Sequence, residues 1–233
     1  DYKYEYTINT EDGTATITKF LGPVDSEGNV DFTNHGPYDI NIPSELDHHS
    51  VTGLGDYSFA TEENGSPLYD IHHHNIHSVT IPESVTSIGQ SAFESCFSLD
   101  SLIIKDAATS IGASAFDGCS HLTTLSLGKN ITTIGDYAFQ GCSYLTNVTI
   151  PQSVTSIGAS AFVNCSNLST ITIPEKVTTI ESNTFNGCSH LESIMLPAGL
   201  TSFQDSLEDC PAGNPNGAIY YKNYKAAADA LLA

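Results

Sequence analysis

Residues 134–156 read Ile134-Gly-Asp-Tyr-Ala-Phe-Gln-Gly-Cys-Ser-Tyr-Leu-Thr-Asn-Val-Thr-Ile-Pro-Gln-Ser-Val-Thr-Ser156, and Ile157-Gly158 opens the same phrase again. Working outward, Phe93, Phe116, Phe139, Phe162 and Phe185 follow one another at 23 residues without a slip. So do Cys96, Cys119, Cys142, Cys165 and Cys188, and Leu99, Leu122, Leu145, Leu168 and Leu191. A fourth register runs Ile88, Ile111, Ile134, Ile157, Ile180, with Phe203 in the sixth place. Four apolar registers held in phase over a hundred residues define a solenoid, whose units bury their apolar faces only against one another.

Within a unit, Leu145, Val148 and Ile150 stand at i, i+3 and i+5, Val148-Thr149-Ile150 alternates at the period of a strand, and Pro151 ends it because proline cannot donate a ladder hydrogen bond. A second β-rich stretch, Val154-Thr-Ser-Ile157, closes at Gly158. Ala161, Phe162 and Cys165 then stand at helical spacing, which predicts one to two turns of helix or a tight helical turn over 160–165. Strands stack about 4.8 Å apart whereas packed helices need about 8–10 Å, so the helical side should splay. The expected fold is an α/β repeat solenoid, a horseshoe of 23-residue units with a parallel strand ladder on its concave face.

The register extends into irregular units. Val79-Thr-Ile-Pro82 and Ile40-Asn-Ile-Pro43 match Val148-Thr-Ile-Pro151, and Val51–Phe59 copies Ile131–Phe139. Phe59 precedes Phe93 by 34 residues, which places an 11-residue insertion within 60–75, and a shorter one falls near 44–50. Tyr2, Tyr4, Tyr6 and Ile8 alternate before the turn Glu11-Asp-Gly13, and Thr14–Thr18 alternates back. The expected organisation is one domain over 1–233: a β-hairpin cap in 1–36, repeats in 37–203, and a strand–helix cap in 204–233 built from Ala218–Tyr221 and Lys225–Ala233.

The pattern Cys-Ser-x-Leu…Val-Thr-Ile-Pro…Val-Thr-x-Ile-Gly-x-x-Ala-Phe resembles the BspA-like class of leucine-rich repeat; Val148-Thr-Ile-Pro151 and Ser160–Leu168 are its most characteristic stretches here. Residues 6–18 also resemble the segment that precedes such arrays. The resemblance implies a secreted or cell-surface protein of the adhesin and surface-antigen type, with partners among host matrix proteins or other cells.

Seven basic against twenty-seven acidic residues give a formal charge of −20, which excludes phosphate-driven nucleic-acid binding and adsorption to anionic lipid. With 15% charged and 39% apolar residues the chain is nonetheless a folding one, and no apolar run reaches the length of a membrane helix. The chain opens on Asp1-Tyr-Lys-Tyr4, without a leader, so export would use one outside this sequence. Covered end coils predict a monomer.

The repeat cysteines, at coil separations of about 8–10 Å on a helical side, would lie too far apart to bridge, which predicts free, buried thiols. Seven of nine histidines lie between His35 and His77. His72, His74 and His77, with Asp70, His48 or His49, are the candidate metal ligands, against the simpler reading of polar surface loops. No cofactor is expected, and no nucleophile, phosphate loop or acid–base pair marks an enzyme. His121, Tyr144, Asn167 and His190 share one repeat place and read as a variable surface position. The binding candidate is the outward row of the ladder: Ser78, Thr80, Ser101, Ile103, Thr124, Ser126, Asn147, Thr149, Thr170, Thr172, Ser193 and Met195. The sequence therefore points to a non-catalytic binding or adhesion protein that presents a Ser/Thr-rich face to a protein or glycan partner, host extracellular matrix included. A metal-stabilised surface protein and a purely structural scaffold are the alternatives.

Overall fold

The structure, a computed structural model, describes residues 1–60, 75–204 and 206–210 and the backbone of 218–221. The expected helix at 225–233 and most of the insertion within 60–75 lie outside the described residues. Coils are named below by their cysteine.

Each 23-residue unit contributes two short strands, and like strands pair in parallel, residue on equivalent residue. In the first ladder Ser78 pairs with Ser101, Ser101 with Thr124, Asn147 with Thr170 and Thr170 with Ser193. The second ladder runs Leu54, Ile88, Ile111, Ile134, Ile157. Inward residues Leu102, Ile104, Val148, Ile150, Ile171 and Ile194 are buried, while the row between them is partly or fully exposed, as the alternation requires.

On the third side of the coil, where helix and tight turn were both open, the structure has the turn, without the splay that helices would bring. No α-helix occurs among the described residues; segments such as 160–165 are tight turns. Two residues per turn have left-handed backbone: Ser91, Ser114, Tyr137, Ser160 and Asn183 at φ between 52° and 58°, and Ser95, Gly118, Gly141, Asn164 and Gly187 at 59–73°. No helix continues through such residues. Each turn closes on i→i+3 bonds, for example Val163 N to Ser160 O (3.1 Å) and Cys165 N to Phe162 O (3.2 Å). The interior amides between them donate to the next coil. Phe93 N reaches Ala115 O (2.7 Å), Phe116 N Ala138 O (2.9 Å), Phe139 N Ala161 O (2.8 Å) and Phe162 N Thr184 O (3.0 Å).

These bonds hold the turns at nearly strand spacing. The phenylalanines stack in a column, with centroids 5.3–5.9 Å apart from Phe93 through Phe185 and planes within 10°. The helix packing that would have splayed the horseshoe is absent from these units, and with it the cause of that curvature. Phe20 of the N-terminal hairpin (Tyr2–Ile8 with Ala15–Pro23) extends the column, stacking on Phe59 at 5.4 Å, and its amide donates to Ser58 O. The hairpin also joins the second ladder, Ala15 beside Val51.

Close spacing overturns the distance argument for the cysteines. All six thiols are free and buried, yet the coils that carry them are stacked about as closely as strands. Each Sγ donates instead to the carbonyl of a phenylalanine in the preceding coil, as Cys119 to Phe93 O (3.3 Å), Cys142 to Phe116 O (3.4 Å) and Cys188 to Phe162 O (3.2 Å).

Two outcomes are expected. Phe139→Ala removes a fully buried ring from the middle of the column and should cost about 3–5 kcal/mol, whereas Thr149→Ala, on the outward row, should be nearly neutral in chemical denaturation. Burial also lifts the Cys165 thiol from an ordinary 9.0 to about 12. A thiol that stays protonated in the fold but ionises when unfolded contributes stability that is complete below pH 9.0 and is lost as the pH climbs toward about 12. The native protein at pH 8 should therefore leave Cys165 unreactive toward an aromatic disulfide reagent until denaturant is added, and its melting temperature should fall above pH 9.

Candidate functional site

The twelve outward residues singled out above form two files on the first ladder. Thr124, Ser126, Asn147, Thr149, Thr170, Thr172 and Met195 are exposed, and Ser78, Thr80, Ser101, Ile103 and Ser193 half-buried. Two of them are already engaged: Ser78 Oγ donates to Asp39 Oδ1 (2.6 Å) and Asn147 Nδ2 to Thr146 Oγ1 (3.2 Å).

The ladder is not continuous. It is divided between Thr124–Ser126 of the Cys119 coil and Asn147–Val148 of the Cys142 coil, although the second ladder and the turns remain bonded across the same boundary. Local sequence accounts for the opening. Gly128 stands where other units have proline, so close to the preceding coil that an added Cβ would lie 2.3 Å from Lys105 O. Lys129 N then donates to Asp106 Oδ1 (3.0 Å), and its ammonium pairs with Asp106 Oδ2 at 2.5 Å, which lowers the Asp106 pKa. The Cys119 coil is thus bound tightly backward. Lys105 N donates to Ile81 O (3.1 Å), a bond that its proline counterparts Pro151 and Pro174 cannot make, yet the strand before Pro174 still pairs with Asn147–Val148, so the backward binding of Gly128 and Lys129 is what sets this boundary apart. The result is a cleft of about 360 Å³ between the two coils, lined by Leu125, Ser126, Leu127, Lys129, Thr149 and Pro151. Leu125 and Leu127, inward by phase, are left only half-buried.

A second cleft, of about 410 Å³, lies where the turns meet the first ladder. Two registers build it. His77, Asp100 and Thr123 belong to one, and Ser98, His121 and Tyr144 to the other, each 23 residues apart. His121 and Tyr144 stack, centroids 5.2 Å apart and planes 16° apart. His121 Nδ1 lies 2.7 Å from Phe97 O and must be the donor, since a carbonyl only accepts. Asp100 Oδ1 accepts from Thr123 Oγ1 (2.7 Å). The sequence reading passed over His121 and Tyr144 as a variable surface position. The available signal was that rings at one place of successive coils 5 Å apart must stack.

Of the candidate metal ligands, His72 and His74 lie outside the described residues. His77 Nδ1 is 3.2 Å from Asp39 Oδ1, and the Ser78 hydroxyl followed by His77 lowers the Asp39 pKa. His48 faces Glu45 (3.6 Å), and His49 Nδ1 contacts Gly13 O (2.7 Å) on a different part of the hairpin surface. Among the described residues no three His, Cys, Asp or Glu side chains are grouped so as to hold a metal ion. Nor, among them, is any helix long and apolar enough to cross a membrane.

With this geometry in view, the relatives can be placed. A leucine-rich repeat protein of Bacteroides ovatus superposes with a TM-score of 0.70 at 29% identity, over 88% of this chain and 49% of that one. The chain thus spans about half the length of that relative. The T. pallidum leucine rich repeat protein, TpLRR, superposes with a TM-score of 0.68 at 25% identity, over 85% of each chain. No curated protein matches the sequence significantly. The BspA type leucine rich repeat region matches residues 109–211 in six copies. The family model that matches residues 109–211 is thus of the BspA type, and the solved relatives are bacterial leucine-rich repeat proteins.

Proposed function

We propose that this is a non-catalytic binding protein of the cell surface or secreted milieu, which holds an extended segment of a partner protein against the first ladder. The observation that carries the reading is the opening between Ser126 and Asn147. A ladder that is elsewhere closed by its own hydrogen bonds there exposes the flanks of Leu125 and Leu127 beside a file of hydroxyls. An extended partner strand could use the backbone groups of such an edge for affinity and the two leucines for anchorage, as peptide-binding sheet edges do. Ser and Thr on either side offer many small contacts without an aromatic anchor, a composition suited to modest affinity. The surface location and an adhesive role, with host extracellular matrix as the partner class, come from the family resemblance and extend it.

Solid-phase binding to immobilised host matrix proteins and mucin tests this. The wild-type protein should bind at least one of them. Thr149→Lys with Thr172→Lys, both at exposed positions, should weaken that binding by at least about tenfold through clashing and desolvated ammonium groups in the contact, without lowering the melting temperature. Equal binding by both proteins would move the site off the ladder, and binding by neither would leave a structural scaffold.

A further inference from the structure

The second cleft has no part in the ladder-face reading and does not depend on it. We propose that it is a binding site for a neutral pyranose sugar. The register that supplies its aromatic wall reads Ser98, His121, Tyr144 along three successive coils. His121 and Tyr144 stack on one another, so the rank of rings stops at His121 and the next place is held by a hydroxymethyl group. A slot one ring deep is left at the end of the stack, bordered by Ser98 and by the polar register His77, Asp100, Thr123.

The chemistry of the slot selects its occupant. An aromatic face carries negative charge density and attracts the weakly positive C–H bonds that a pyranose presents on its less polar face. Around that face a sugar directs hydroxyl groups, each a donor and an acceptor, and the cleft meets them with both kinds. Asp100 Oδ1 is held by Thr123, and its second carboxylate oxygen has no hydrogen bond among the described residues, so it can accept from a sugar hydroxyl. With Nδ1 of His121 committed to Phe97 O, its Nε2 is an acceptor in the neutral ring. Ser98 Oγ can donate or accept, and Thr123 Oγ1, whose proton goes to Asp100 Oδ1, can accept. The volume lies in the range of small-ligand sites. Two parallel rings form a platform open on one side, whereas quaternary ammonium ions are held by aromatic cages that enclose them. The formal charge of −20 disfavours acidic sugars.

Saturation-transfer NMR on the intact chain, with methyl β-galactopyranoside, methyl β-glucopyranoside, N-acetylneuraminic acid and choline as separate probes, tests the assignment. One of the neutral pyranosides should receive saturation, strongest at its ring C–H protons, with a Kd in about the millimolar range expected of a dozen heavy atoms. His121→Ala and Tyr144→Ala, both at exposed positions, should raise that Kd by about tenfold while leaving the melting curve unchanged. Tyr144→Phe, which keeps the ring, should bind as the wild type does, and Asp100→Asn should bind more weakly. The Thr149→Lys/Thr172→Lys protein should bind sugar normally, which separates this site from the ladder. No transfer to either neutral pyranoside, transfer that survives His121→Ala undiminished, or preferential binding of choline or N-acetylneuraminic acid would overturn it.

Discussion

The constraint on which the rest depends is that the turn side of each coil hydrogen-bonds to the next coil through its backbone. An isolated helix would satisfy its amides internally and stand off about 8–10 Å from its neighbour. Here two left-handed residues per turn prevent that, and the amides of Phe93, Phe116, Phe139 and Phe162 donate forward along the solenoid. Once the turns sit at strand spacing, one phenylalanine per coil has room only as a stack, and one thiol per coil finds a phenylalanine carbonyl behind it. The phenylalanine column, the cysteine row and the capping role of Phe20 all follow from a single hydrogen-bonding choice.

A stack so tightly bound has little tolerance, and its exceptions can be traced to single residues. Gly89, Gly112, Gly135 and Gly158 lie where a Cβ would come within 2.3–2.6 Å of the preceding coil. The next residue in that register is Glu181, and there the second ladder is interrupted: the strand at Ile157 pairs with Ile134 but not with Ile180, and pairing resumes between Ile180 and Phe203. The first ladder divides one coil earlier, where Gly128 and Lys129 bind backward. Because the two gaps fall at different boundaries, the turns and one ladder hold across each of them, and the array opens locally without coming apart.

The repeat length, the two strands and the inward and outward phases were legible in the sequence because each depends on the kind of residue at a fixed interval. Val148 and Ile150 inside with Thr149 outside needs only period two and an apolar core. On the third side the sequence left helix and tight turn both open, for a physical reason. Ala161, Phe162 and Cys165 have helical spacing, but the deciding residues are Ser160 and Asn164, whose left-handed conformation is allowed without being dictated by their identity. From the helical alternative came the expected splay and the wrong reason for the free thiols. The interruption at Ser126 was partly legible, since Lys105 and Gly128 stand where neighbouring units have proline. Its consequence was not, because a lost proline ordinarily favours strand pairing. The stacked pair His121 and Tyr144 was hidden by reading along the chain, where the two residues are 23 apart, instead of across the coils, where they touch.

A solenoid restricts where specific recognition can arise. Residues at equivalent positions see equivalent surroundings, so a group that is useful once is offered repeatedly, and a regular face such as the Thr170, Thr172 file can bind only by adding many similar contacts. A discrete small-molecule site needs neighbours that differ, which a repeat supplies only where a register changes residue type. The two clefts meet that requirement in different ways. At Leu125 and Leu127 the backbone spacing changes while the side-chain types persist, which leaves apolar surface beside unpaired strand edges. At Ser98, His121 and Tyr144 the spacing persists while the side chains change, and a missing ring within an ordered stack leaves a space with a defined shape. The first kind of irregularity suits an extended backbone and the second a small flat-faced ligand, which is why the two proposals assign different classes of partner to one array.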